Sequence, residues 1–271
     1  MLNVFGFFKS GGITPAQISA DFTARVIANG GSLTTTEQNA ILALVTNLQA
    51  NGTWNKMKII YPMVGGSAAS CAVNLVDSNY LATFSSGWTF SSTGGTPSGA
   101  NTFMTTNTFN PYVKLTTFDT SFSYYSRTNN TTNGAELGIQ ENPASPDNRI
   151  TSIAYFSGNA QAALNSYPTG TILTTTTSRS GLWLISRTSN IDMKFYRNGS
   201  QIGTTNTSTE TALLPNAIFT FATLSFNDGI NYISTNRQCA FAHAGSGMTS
   251  AEALTFYNNV QTFQTTLSRQ L

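Results

Sequence analysis

The stretch Gly181-Leu-Trp-Leu-Ile-Ser-Arg-Thr188, Ser189-Asn190, Ile191-Asp-Met-Lys-Phe-Tyr-Arg197, Asn198-Gly199 decides how this chain folds. In its second run Ile191, Met193 and Phe195 fall on one face and Asp192, Lys194 and Tyr196 on the other, the period-two alternation of a half-buried strand. Ser189-Asn190 turns the first run into the second. Asn198-Gly199 supplies the two positive-φ positions of a type I′ turn, so a third strand starting near Gln201-Ile202 folds back beside the second. The expected unit is a three-strand antiparallel meander.

Upstream of this meander, strands are expected over residues 58–64, 71–76, 88–91, 101–108, 121–128, 135–140, 149–156 and 170–176, separated by clusters of Gly, Pro, Ser and Asn. Downstream, 217–226 is apolar on both faces and reads as a central strand, with 230–234 and 237–243 following. Many short strands with turns between them, and no alternation with long helices, point to an all-β sandwich.

Helices flank the strands. Thr14-Pro15 reads as an N-cap with proline at the first helical position, and Ile18, Phe22, Val26 and Ile27 form one stripe that Gly30-Gly31 ends. Thr34 with Glu37 opens a second helix with Ile41, Leu44, Val45 and Leu48 inward, stopped at Asn51-Gly52. Thr249 with Glu252 opens the last, whose Ala253, Phe256, Val260, Phe263 and Leu267 need a cover: the outside of the sandwich or the two N-terminal helices. Burying three or four of those side chains contributes about 5–10 kcal/mol before entropy. The expected organisation is an apolar arm over 1–12, a helical segment over 13–55, and a sandwich over 56–271 that carries a C-terminal helix at 249–268.

The hairpin Trp183 to Arg187 with Phe195-Tyr-Arg-Asn-Gly199 resembles the middle of laminin G-like and concanavalin A-like domains, as does Gln238-Cys-Ala-Phe-Ala-His243 followed by Gly245-Ser-Gly247 and a helix at Met248-Thr-Ser-Ala-Glu252. The longer string from Trp54-Asn-Lys-Met-Lys-Ile-Ile-Tyr-Pro-Met-Val-Gly-Gly66 to Phe263-Gln-Thr-Thr-Leu-Ser-Arg-Gln-Leu271 resembles virion proteins of tailed phages, notably crAss-like and other Bacteroidota phages. The resemblance implies a two-sheet antiparallel jelly roll and a non-enzymatic virion structural protein, part of head or tail, that packs against other virion proteins as a homo-oligomer and binds surface glycans. It implies assembly in the bacterial cytoplasm and no cofactor. The alternatives are a polysaccharide-degrading tail enzyme and a carbohydrate-binding module.

Composition narrows the partners. Charged residues make up 9% of the 271 positions and the net charge is +2, against a usual charged share of about 25%. Such a surface suits neighbouring protein or sugar more than phosphate, which argues against nucleic acid. No run approaches the roughly 18 apolar residues of a membrane span, and the start Met1-Leu-Asn-Val-Phe-Gly-Phe-Phe8 lacks the basic flank and length of a secretory signal. Cys71 and Cys239 are too few and too far apart for a disulfide scaffold or a zinc site and read as free, buried thiols. Strand 71–76 is expected beside strand 237–243, which would bring the two sulfurs near each other.

Catalysis finds little footing. Sandwich glycoside hydrolases place two carboxylates on one strand face, whereas the nearest acids here, Glu136, Glu141 and Asp147, read as solvated loop residues. His243, the only histidine, has Ser246 nearby, but Ala-His-Ala-Gly-Ser-Gly is not a nucleophile elbow. No catalytic residue is assigned. Calcium in a lectin-like loop would have to use Glu141, Asn142, Asp147 and Asn148, or Asn227 and Asp228, and neither run has the acid spacing of a dedicated site, so plain polar turns are preferred. For sugar, an aromatic platform would come from Trp88, Tyr124, Tyr125 or Trp183, with Tyr125, Arg127, Asn129 and Asn130 the expected rim. Lastly, Leu2, Val4, Phe5, Phe7 and Phe8 crowd ahead of Gly11-Gly12 and form an expected partner-binding arm.

Overall fold

The computed structural model describes residues 12–141, 149–165, 170–206, 213–226 and 232–271. Its helices are α1 (Pro15–Ala28), α2 (Thr35–Ala50), α3 (Ala68–Cys71), α4 (Pro111–Lys114) and α5 (Ser250–Thr266). Its strands are β1 (Met57–Tyr61), β2 (Thr83–Phe84), β3 (Trp88–Ser91), β4 (Gly94–Pro97), β5 (Met104–Thr105), β6 (Thr120–Ser126), β7 (Leu137–Gln140), β8 (Arg149–Phe156) and β9 (Asn159–Leu164). They continue with β10 (Ile172–Thr174), β11 (Gly181–Ser189), β12 (Asp192–Arg197), β13 (Ser200–Thr205), β14 (Thr220–Phe221), β15 (Thr223–Phe226), β16 (Tyr232–Ser234) and β17 (Cys239–Gly245).

The expected meander is β11-β12-β13, with Trp183 opposite Arg197 and Tyr196 opposite Gln201. Asn198 and Gly199 sit at φ of 50° and 73°, as the type I′ turn requires. The meander forms one end of a sheet that runs β13-β12-β11-β6-β17-β4-β3, with β1 also on β17. The second sheet runs β10-β9-β8-β7-β14-β5-β2, and β15 pairs with β7 and β16. All of these pairings are antiparallel except β15 with β7. Two such sheets stacked face to face make a jelly-roll sandwich, as expected. Alternate residues of both, such as Phe122, Tyr124, Trp183, Ile185 and Phe195 against Leu137, Ile150, Ala162 and Phe221, form the central core.

The first sheet has a second covered face. Tyr125, Leu182, Leu184, Tyr196 and Phe241 point away from the sandwich into a cluster with Phe22, Ile41, Leu44, Leu48, Phe256 and Phe263. The N-terminal and C-terminal helices thus form one outer layer, and α5 is covered by both partners named as possibilities. Each long helix is started by the same device: Thr14, Thr34 and Thr249 accept the N–H three residues on, while Gln17, Glu37 and Glu252 accept from the cap's own N–H.

Three expectations are corrected. Residues 71–76 are no strand: Ser67 caps the one-turn helix α3, and the chain then runs beside β1, where Asn74 Oδ1 accepts from Ile60 N at 2.8 Å and Leu75 N donates to Ile60 O at 2.8 Å. The strand that enters the sandwich beside the last one is β1, with Ile60 opposite His243. Cys71 and Cys239 are nevertheless both free and buried, and Cys71 adds to the burial that raises the Cys239 pKa. Second, 217–226 is interrupted at Ala222, at φ 65°, which divides it into β14 and β15. Third, β2, β4 and β9 occupy segments in which no strand was expected. Among the described residues no helix is long and apolar enough to cross a membrane.

Candidate functional site

The aromatic and amide residues expected at a sugar rim hold the fold together instead. Tyr125 is fully buried beneath α5, where its hydroxyl donates to Gln261 Oε1 at 3.0 Å and accepts from Leu271 N at 3.2 Å. Burial pushes its phenol pKa up, and no sugar can stack on that ring. Tyr124 and Trp183 are equally buried. Trp88 is half-buried in a cluster with Phe84 and Phe90. Arg127 Nε donates to Arg269 O at 2.7 Å and Nη1 to Gln238 Oε1 at 2.9 Å. Asn129 Oδ1 accepts from Arg179 N at 2.8 Å, and Asn130 Oδ1 from Arg237 Nη1 at 3.1 Å. These four are brought together at one end of the sandwich, with their polar groups turned to neighbouring chain.

Glu136 is the clearest correction. It is fully buried, paired with the equally buried Arg237 through Oε1 and Nε, and its Oε2 accepts from Ala154 N at 2.5 Å. Arg237 also donates to Thr132 O and Gly134 O, both at 2.7 Å, so the pair closes the sandwich where β7 and β17 begin. Glu141 accepts from Asn216 N at 2.5 Å. Asn142, Asp147, Asn148, Asn227 and Asp228, together with Leu2, Val4, Phe5, Phe7 and Phe8, lie outside the described residues. Among the described residues no group of three His, Cys, Asp or Glu side chains is placed to hold a metal.

His243 lies fully buried on the helix side of β17, with Nδ1 3.0 Å from Ser123 Oγ and Nε2 3.4 Å from Ser121 Oγ. The ring sits 4.8 Å from that of Phe256. Burial lowers its pKa to about 3, so it is neutral at ordinary pH. Ser246 meets Ser121 through its carbonyl, at 2.6 Å, and so supplies no nucleophile to the imidazole.

Among the described residues, the outer face of the second sheet is open in part, whereas helices cover that of the first. Strand alternation decides what lies there. Leu137 and Ile139 point into the core, which turns Gln140 outward; Ala160 and Ala162 point inward, which turns Asn159 and Gln161 outward. On β8 a bulge between Ile153 and Phe156 resets the register, so Phe156 pairs with Asn159 and shares its face. Leu224, Phe226 and Ile233 come from the β15–β16 pair, Leu173 from β10, and Arg149 from the start of β8. Together they line a concavity of about 370 Å³, within the roughly 300–1,000 Å³ of ligand sites. Phe156 is 38% exposed and Leu173 63%. An apolar floor with an exposed ring, edged by amides and one guanidinium, is the surface on which a ring of hydroxyls above an apolar face can lie. None of these was a site residue in the sequence reading. The signal was present in the period-two run Asn159-Ala-Gln-Ala-Ala-Leu164 after Ser157-Gly158.

No family model matches the sequence, and no curated protein matches it. Solved structures share its architecture. Domain 4 of an extracellular arabinanase from Geobacillus stearothermophilus, solved with arabinotriose, aligns over 74% of this chain and 98% of its own at TM-score 0.52 and 10% identity. A Trypanosoma rangeli sialidase bound to 2,3-difluorosialic acid aligns over 90% of this chain and 37% of its own, at TM-score 0.52 and 7% identity. Botulinum neurotoxin type C, whose cell entry depends on two ganglioside molecules, aligns over 78% and 53%, at TM-score 0.50 and 11% identity. This chain thus spans well under two thirds of the sialidase and toxin. At such identities the likeness is one of fold.

Proposed function

We propose that this chain is a non-enzymatic glycan-binding sandwich carried on a phage particle, with the outer face of the β10-β9-β8-β7 sheet as its binding surface. The observation that carries the reading is that concavity: among the described residues, the outer sheet face away from the helical layer presents Phe156, Asn159 and Gln161 together. The arabinanase domain of the same architecture was solved with a trisaccharide, and the toxin depends on gangliosides, which supports sugar as the ligand class by analogy of fold. The virion setting rests on the resemblance of the sequence from Trp54 to Leu271 and on its low charge. A binding role without turnover is supported by the fate of the acids and histidine: Glu136 is taken up by Arg237, and His243 is sealed beneath α5.

The test has two arms. The purified chain is probed against an array of bacterial surface polysaccharides, with released reducing sugar measured in parallel; retention of a glycan class without release is the expected result. Intact particles are then imaged by cryo-electron microscopy, which should show this chain among other virion proteins with the β8–β9 face outward. Sugar release would promote the tail-enzyme reading, and a buried β8–β9 face would remove the binding surface.

A further inference from the structure

A second concavity, of about 400 Å³, lies where α1, β1, the loop after residue 75 and α4 meet, and it shares no lining residue with the β8–β9 surface. Its lining is rich in charge. Five of the ten described residues that form it, Asp21, Arg25, Lys58, Asp77 and Lys114, are ionic, in a chain where charged residues make up 9%. Arg25 is taken up by its own surroundings: Nε donates to Asp21 Oδ2 at 2.8 Å and Nη2 to Leu75 O at 3.2 Å. Lys58 and Lys114 are exposed, and among the described residues their side chains make neither an ion pair nor a hydrogen bond. Lys58 is the extra residue of the bulge between Met57 and Ile59, which leaves it without a partner on β17. Lys114 ends α4.

Tyr80 adds a hydroxyl to this cavity. The residue is 7% exposed and lines the concavity, yet its hydroxyl has no hydrogen-bond partner among the described residues. The other buried tyrosine hydroxyls all have one: Tyr61 donates to Tyr80 O, Tyr124 to Arg237 O and Tyr125 to Gln261 Oε1, and Tyr196 meets Ser250 Oγ. The Tyr80 oxygen is not among the polar atoms sealed from solvent without a partner, so it opens on the cavity. The wall around it is fixed. Asp77 Oδ1 accepts from Asn79 N and Nδ2, both at 2.9 Å, and Asn74 Nδ2 donates to Asp77 O at 2.9 Å. Asp77 Oδ2 has no partner among the described residues.

We infer that this concavity binds a sugar that carries a carboxylate. Two ammoniums lining one cavity repel each other until an anion enters, and a carboxylate supplies that charge. The other groups select a sugar over a bare oxyanion. Asp77 repels further negative charge and requires a donor, which a sugar hydroxyl provides and a sulfate does not. Tyr80 donates to a hydroxyl or ring oxygen. The cavity is thus matched to one negative charge accompanied by hydroxyls, and its role is independent of the β8–β9 surface.

Titration of the full-length chain, followed by backbone amide shifts in heteronuclear NMR, tests this. The probes are digalacturonate and sialyllactose, their uncharged counterparts galactobiose and lactose, and inorganic sulfate. At least one acidic sugar is expected to shift the amides of Lys58, Asp77, Ser78 and Tyr80, with a Kd about tenfold or more below that of its counterpart. Lys58→Ala with Lys114→Ala should raise that Kd about tenfold. Tyr80→Phe, which removes one oxygen and keeps the ring, should raise it about threefold, with Tm showing that each variant is folded. No shift with either acidic sugar would overturn the inference, as would a Kd unmoved by the lysine changes. Shifts confined to Asn159 and Gln161 would overturn it by assigning the acid to the β8–β9 surface. Sulfate binding as tightly as the acidic sugar would overturn it as well, since the site would then read charge alone.

Discussion

Replacing Glu136 with alanine isolates the buried ion pair. In the wild type, Arg237 is fully buried with Glu136 as its carboxylate partner and Asn130, Thr132 and Gly134 as its other acceptors. Glu136→Ala leaves a guanidinium in the interior without its anion, a loss of about 3–5 kcal/mol for a buried pair. It also strips the acceptor from Ala154 N–H, a further ~1–3 kcal/mol. Since neighbouring effects do not add fully, the expected destabilisation is about 4–6 kcal/mol. In a domain of this size that lowers Tm by roughly 10–20 °C. Urea unfolding monitored by fluorescence gives the free energy, and calorimetry gives Tm. Glu136→Leu with Arg237→Met should recover at least half of the loss, because no charge is then stranded. A Glu136→Ala protein within about 1 kcal/mol of wild type would refute the reasoning. The same numbers bear on catalysis: any activity lost on Glu136→Ala would report unfolding rather than a missing acid.

Further outcomes follow from other buried groups. The His243 pKa falls from its ordinary 6.5 to about 3 in the folded chain, so the unfolded chain binds the extra proton first, and stability should decline by up to about 1.4 kcal/mol per pH unit as pH falls from 6.5 towards 3; His243→Asn should flatten that slope in pH-dependent unfolding. Arg269 is buried and donates to Gln264 Oε1, Met63 O, Pro62 O and Ala240 O, with no carboxylate hydrogen-bonded to it among the described residues; Arg269→Ala should cost about 2–4 kcal/mol by urea unfolding, and a neutral effect would contradict its role in fastening the C-terminus. Gly199→Ala puts a side chain at φ 73° against Leu254 and Tyr257 and should cost about 1–3 kcal/mol, read as a Tm shift.

The fold was legible wherever local chemistry and tertiary packing agree. Asn198-Gly199 names its own turn, alternation from Ile191 to Tyr196 names the strand before it, and Thr14-Pro15 with two Thr-x-x-Glu boxes marks the long helices. Residues 71–76 misled because an apolar run looks the same whether it pairs in a ladder or lies against one, and only the Asn74 side chain bonding Ile60 N reveals which. β9 was missed for the opposite reason: Ala and Gln favour helix, and pairing with β8 on one side and β10 on the other overrides that preference. The site was least legible. Tyr125 and Glu136 look like surface chemistry in one dimension, while their burial depends on α5 and Arg237, more than a hundred residues away. Phe156 reaches the open face through a bulge, which strict period-two counting places on the wrong side.

The central claim is that the β8–β9 face binds glycan, and calorimetric titration with the polysaccharide retained on the array tests it most directly. Wild type, Phe156→Ala, Gln161→Ala and Asn129→Ala are compared at matched Tm. Phe156 and Gln161 line the concavity, whereas Asn129 is not part of its lining and is held by Arg179 N. The account predicts at least a tenfold rise in Kd for the first two variants, about 1.4 kcal/mol or more, with Asn129→Ala unchanged. Unchanged affinity in Phe156→Ala and Gln161→Ala, or loss confined to Asn129→Ala, would contradict it.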